Sequence, residues 1–117
     1  MAITVLCYDR CSTCKKALKW LDDKGCEYRL RPIDSQNPSE GELREWHKKS
    51  DLPLRRFFNT SGALYRTLGL KDKLDGMSED EMFALLATDG MLVKRPLLIS
   101  DGLVFPGFRE DVWTAVL

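Results

Sequence analysis

The sequence predicts an α/β fold in which a βαβ unit and a ββα unit flank a helical insert. Three observations carry this. An apolar run, an amphipathic helical pattern and a second apolar run follow one another within the first 33 residues. Residues 34–92 hold two capping boxes and short helical stretches without a convincing strand. A hairpin signal and a last amphipathic segment then close the chain. At 117 residues the chain reads as one domain, with 1–33 and 93–117 as its core and 34–92 as the insert.

Ile3–Tyr8 is short and apolar, as a buried strand is. After it, Cys14, Ala17, Leu18 and Leu21 recur at i, i+3, i+4 and i+7, one face of a helix that Lys24-Gly25 ends. Tyr28–Ile33 reads as a second strand, with Pro32 near its end, and strand–helix–strand over this length makes the pair parallel. Ser39-Glu40-Gly41-Glu42 is a capping box opening a polar helix with Leu43 and Trp46. Leu54–Phe58 and Leu64–Leu68 read as short helical pieces around Asn59-Thr60-Ser61-Gly62. Ser78-Glu79-Asp80-Glu81 caps a helix carrying Met82, Phe83, Leu85 and Leu86, which ends near Asp89-Gly90. Leu97–Ser100, Asp101-Gly102 and Leu103–Phe105 spell a hairpin. Glu110–Leu117 is a final helix with Val112, Trp113 and Val116 apolar.

Charge and cysteine usage exclude several classes. Lys plus Arg equals Asp plus Glu at 18 each, so no net basic field recruits nucleic acid or a membrane surface. Four cysteines in a chain with ample apolar content point to a reduced, intracellular protein rather than a disulfide framework. No signal-peptide pattern or membrane span is visible, so the expectation is a soluble, cytoplasmic monomer.

Chemistry concentrates at Cys11-Ser12-Thr13-Cys14. The first sulfur falls at a helix N-terminus, where free backbone N–H groups and the macrodipole favour an anion such as a thiolate. Arg10, Lys15 and Lys16 add local cations. Lysines in a first turn oppose the dipole, a conflict that a functional thiolate explains. Oxidation of Cys11 would leave Cys14 placed to close an intramolecular bond, and Cys14, on the apolar side of its helix, should be the more buried and less reactive thiol. Cys7 and Cys26 read as inert, the former as a small hydrophobe in a strand. Trp20, Trp46 and Trp113 read as packing residues and His47 as an exposed helix residue. Cys7, Cys11 and Cys14 also match an iron–sulfur spacing, but Cys7 would have to leave its strand and the chain is too short for the barrel such clusters serve. Zinc lacks a second ligand pair.

The order βαβ, insert, ββα, with CxxC at the first loop, resembles the thioredoxin/glutaredoxin fold. Together with Leu54–Gly62 and Val93-Lys94-Arg95-Pro96 it resembles the arsenate reductase (glutaredoxin-linked) family, closest to its Spx/MgsR-like branch. The resemblance implies a catalytic Cys11, with Arg55 and Arg95 holding an oxyanion and Pro96 in cis beside the thiol. Arg109 is only a nearby candidate for a third arginine. The chain departs from that family at Cys14, where those enzymes lack a cysteine, so Cys14 is expected to resolve the oxidised Cys11 where they draw a thiol from glutathione. The reading is thus a thiol-disulfide oxidoreductase with no bound cofactor, acting on a small oxyanion or thiol/disulfide substrate and reduced by glutathione/glutaredoxin or thioredoxin. The alternative is an Spx-like redox-sensing transcriptional regulator that binds RNA polymerase through protein contacts. Neutral net charge disfavours direct nucleic-acid binding in either case.

Overall fold

The computed structural model describes residues 2–117. Strand β1 (Thr4–Cys7) leads into helix α1 (Ser12–Asp23), which returns the chain to β2 (Arg29–Pro32). Helix α2 (Glu40–Ser50), a 3-10 turn (Leu54–Phe57), α3 (Ala63–Thr67), α4 (Leu70–Lys73), a second 3-10 turn (Leu74–Gly76) and α5 (Glu79–Thr88) form the insert. A third 3-10 turn (Gly90–Leu92) leads to β3 (Leu97–Ser100), β4 (Leu103–Pro106) and α6 (Glu110–Val116).

The four strands lie in the order β2-β1-β3-β4. β1 and β2 are parallel, as a helix crossover requires, and β3 runs antiparallel to both β1 and β4. The sheet thus joins strands from both ends of the chain. Alternation along each strand divides the core in two. Leu6 and Leu97, paired across β1 and β3, face the insert with Ile33, Val104, Phe57, Phe58 and Leu86. Val5, Cys7 and Leu98 face the other side, against Cys14, Ala17 and Leu21 of α1 and Trp113 of α6. This is the thioredoxin-like arrangement. Among the described residues, no helix is long and apolar enough to cross a membrane.

Both capping boxes form. Ser39 Oγ accepts from Glu42 N at 3.1 Å while Glu42 Oε1 accepts from Ser39 N at 3.0 Å. Ser78 and Glu81 repeat the pattern at 3.1 Å each way. Glu42 also receives a two-pronged ion pair from Arg31 of β2, at 2.7 and 2.9 Å. Arg31 further donates to the Gln36 and Asn37 carbonyls, so one guanidinium pins the β2–α2 connection. It draws the Glu42 carboxyl down to about 2, burial opposing only in part.

Three details depart from the sequence reading. The stretch after Leu68 adds α4 and a 3-10 turn, because Leu70 and Leu74 both bury against the insert core. Residues 54–59 also pair with the segment before β3: Phe58 bridges Val93, Asn59 N donates to the Leu92 carbonyl at 2.8 Å, and Lys94 N donates to the Phe57 carbonyl at 2.7 Å. His47 is half-buried rather than exposed, edge-on to Phe57 and Phe83 with centroids 5.9 and 5.5 Å away.

Candidate active site

Cys11 is the N-cap of α1, with an extended backbone (φ −94°, ψ 119°) and no side-chain cap bond. Its N–H donates to the Tyr8 carbonyl at 3.1 Å, which tightens the β1–α1 turn, and its carbonyl accepts the Lys15 N–H. Cys11 is partly exposed, whereas Cys14, one turn into the helix, is 1% exposed. All four cysteines are free thiols.

The three N-terminal thiols form a cluster. Cys7 lies on the β1 face that α1 covers, packed with Cys14 and lining one cavity with it, so its S–H can donate to the Cys14 sulfur. That bond is the main cause drawing the Cys14 thiol down to about 6, with the Tyr8 backbone, Cys11 and the Arg95 charge adding to it against burial. Cys7 moves the opposite way, held protonated well above the ordinary thiol range by the same bond and by burial. Cys14 is thus buried with its thiol drawn down, and Cys11 is the partly exposed thiol at the helix terminus.

Cys11 opens onto a cavity of about 400 Å³ whose lining includes Arg56, Asn59, Lys94, Arg95 and Arg109. The pairing of residues 57–59 with 92–94 brings the insert's contribution here. Arg95 carries its guanidinium 5.0 Å over the Tyr8 ring and places Nη1 3.9 Å from Met91 Sδ. Its Nε is buried with no hydrogen-bond partner among the described residues, a donor left unused. The Arg95–Pro96 peptide is cis and Pro96 is buried, its carbonyl accepting Gly107 N at 2.8 Å. Gly107 turns the chain at φ +86°, and a Cβ there would stand 3.1 Å from Lys94 Cε, so glycine keeps the floor of the cavity open. Next to Gly107 in the chain, Phe108 stands edge-on to Trp113 with centroids 4.8 Å apart, and Trp20 packs against both rings.

The structure does not bring Arg55 to this site. It pairs with Asp75 on the surface. The reason is the tight turn: at three residues per turn, Leu54 and Phe57 fall on one buried side and Arg55 and Arg56 leave it about 120° apart. Arg56 and Asn59, together with Lys94, are the cavity residues that the sequence reading passed over. The signal was present in Pro53, whose carbonyl accepts the Arg56 N–H and sets the phase of that turn. Arg109 lines the cavity from the α6 N-cap. A second cavity, of about 460 Å³, flanks the thiols on the β2 side and is lined by Cys7, Cys14, Tyr8, Leu18, Leu30 and Pro32 among others.

Residues 6–116 match the ArsC family. YusI of Bacillus subtilis is 51% identical over 111 residues, covering 95% of this chain and 94% of YusI. The global transcriptional regulator Spx of Listeria monocytogenes is 25% identical over 109 residues, covering 93% of this chain and 82% of Spx. The crystal structure of an ArsC-family-related protein from Bacteroides fragilis superposes with a TM-score of 0.97 at 46% identity, covering 100% of this chain and 98% of that one. With its arsenate reductase-like fold and adjacent first-loop thiols, this chain belongs to the ArsC family.

Proposed function

We propose that this chain is a thiol-dependent oxidoreductase of the cytoplasm, in which Cys11 attacks a small oxyanion or a thiol/disulfide substrate and Cys14 resolves the product. One observation carries the reading: the partly exposed Cys11 thiol shares a cavity with Arg56, Lys94, Arg95 and Arg109. Guanidinium forks and an ammonium suit an oxyanion or a peptide carboxylate. With a disulfide substrate, the Cys11 thiolate displaces one sulfur as a thiolate, and Cys14 then attacks Cys11 to release the other. With arsenate, the Cys11–arsenic bond forms as water leaves. Attack of Cys14 on Cys11 then breaks that bond, and its electron pair reduces arsenic from the +5 to the +3 state. Either route leaves a Cys11–Cys14 disulfide, which glutathione/glutaredoxin or thioredoxin reduces, and no bound cofactor takes part.

The likeness to Spx over nearly the whole chain favours a second reading, a redox-sensing regulator that contacts RNA polymerase. Two assays separate the readings. Turnover of arsenate or of small disulfides with either reductant system, lost in Cys11→Ser, supports the oxidoreductase. Absence of turnover, together with oxidation-dependent binding to purified RNA polymerase, supports the regulator instead.

A further inference from the structure

We propose that Cys7 is a third redox thiol, which takes over Cys14 from Cys11 and converts a Cys11–Cys14 disulfide into a buried Cys7–Cys14 disulfide. This rests on the reading that Cys11 and Cys14 join on oxidation. The placement argues for it. Val5 and Cys7 point to the same side of β1, and α1 lays Cys14, Ala17 and Leu21 on that side. Cys7 and Cys14 are 4% and 1% exposed and line one cavity together. Cys14 stands between the other two, sharing a cavity and a core cluster with Cys7 and lying one turn along the helix that Cys11 caps. Thiol–disulfide exchange needs that order, with the attacking and leaving sulfurs on either side of the sulfur attacked.

The step balances without another reagent. The Cys7 sulfur bonds to the Cys14 sulfur, the Cys11–Cys14 bond breaks, and its electron pair leaves on Cys11, which takes up the proton that Cys7 gives. Cys7 is oxidised as Cys11 is reduced, so the oxidation level of the protein is unchanged. In the reduced protein the bond to Cys14 and the charges of Cys14 and Cys11 hold Cys7 protonated. Once Cys14 is in a disulfide, all three causes are gone and only burial remains. The leaving sulfur departs at a helix N-terminus above a cationic cavity, where negative charge is favoured. The exchange frees Cys11 while the protein stays oxidised and moves the disulfide away from solvent reductants.

The full chain allows a direct test. Trypsin cuts after Arg10 and Lys15, so Cys7 falls on one peptide and Cys11 with Cys14 on the next. Wild-type protein is oxidised with diamide, freed of oxidant, quenched in acid over time, alkylated and mapped without reduction. The early product should be the bond within the second peptide. With time, the species joining the two peptides, with Cys11 alkylated, should rise at least tenfold. A joined species with Cys14 alkylated instead, or the within-peptide bond alone at every time, overturns the relay, and the latter leaves Cys11–Cys14 closure intact. Formation of neither bond overturns that closure and the relay with it. In Cys11→Ser, the joined species should form at least tenfold more slowly. Equal rates mean direct oxidation of Cys7 and Cys14 and also overturn the relay.

Discussion

Replacing Cys7 with alanine removes the largest single cause of Cys14 acidity, so Cys7→Ala should raise the Cys14 pKa. Cys14 lies at about 6 against an ordinary 9.0, with burial opposing the shift. At about 1.4 kcal/mol per unit, the net preference for the thiolate is about 4 kcal/mol. A hydrogen bond to a charged acceptor contributes about 1.5–3 kcal/mol. Losing it therefore moves Cys14 up by about 1–2 units, to between about 7 and 8. At pH 7 its thiolate fraction falls from about nine-tenths to between about a half and a tenth. Arg95 is the least of the lowering causes, acting only through its charge, so Arg95→Ala should move the midpoint less. Titrating the Cβ carbon shift of Cys14 in cysteine-labelled protein resolves this thiol from the other three. An unmoved midpoint in Cys7→Ala, or a larger shift in Arg95→Ala, would refute the hydrogen bond as the source of the acidity.

Sulfate or arsenate binding, followed by calorimetry, should weaken at least tenfold in Arg95→Ala and measurably in Arg56→Ala. It should be unchanged in Arg55→Ala, and an Arg55 effect matching that of Arg95 would reverse the assignment. A Cβ at Gly90 would stand 1.7 Å from the Ile33 carbonyl oxygen and 2.7 Å from its carbon, both backbone atoms. Gly90→Ala should therefore cost about 3 kcal/mol in urea unfolding, and a change below 0.5 kcal/mol would show the contact to be soft. The depressed Glu42 carboxyl contributes stability that is complete above its ordinary pKa and lost as pH falls towards about 2. Solvent screening of this pair, with side chains 21% and 37% exposed, limits the loss to about 1 kcal/mol. Arg31→Ala should flatten the urea midpoint between pH 5 and pH 3, and an unaltered slope would sink the linkage.

The fold was legible because its signals were local. Two Ser-x-x-Glu boxes, one Asp-Gly turn and the spacing of Cys14, Ala17 and Leu21 each decide an element through contacts within a turn or two. Leu70 and Leu74 escaped notice because their burial depends on the insert core rather than on neighbours in sequence. The site divides in the same way. Cys11 as a helix N-cap and the cis Arg95–Pro96 step were readable from one segment each. Which of two adjacent arginines faces Cys11 was not, since it turns on the phase of a 3-10 helix and on pairing between residues some 35 positions apart. The contact between Cys7 and Cys14 was hidden for a similar reason. The sequence neighbours of Cys7 are strand residues, and only the packing of α1 on β1 brings the Cys14 sulfur to it.

That packing also accounts for the lysines that seemed misplaced in the first turn of α1. Lys15 and Lys16 are exposed, so any charge they stabilise is shared with water, whereas Cys14 points the other way into the sheet. There its negative charge is met by a thiol donor from Cys7, the Tyr8 backbone and the Arg95 guanidinium held over the Tyr8 ring. A buried thiolate without those partners would revert to the neutral thiol, as burial alone demands. The helix terminus therefore serves two sulfurs in two ways. On its outer side it presents Cys11 to a cationic cavity where an anionic substrate can lie. On its inner side it carries Cys14, one turn away, against Cys7 and the Tyr8 backbone, which draw that thiol down.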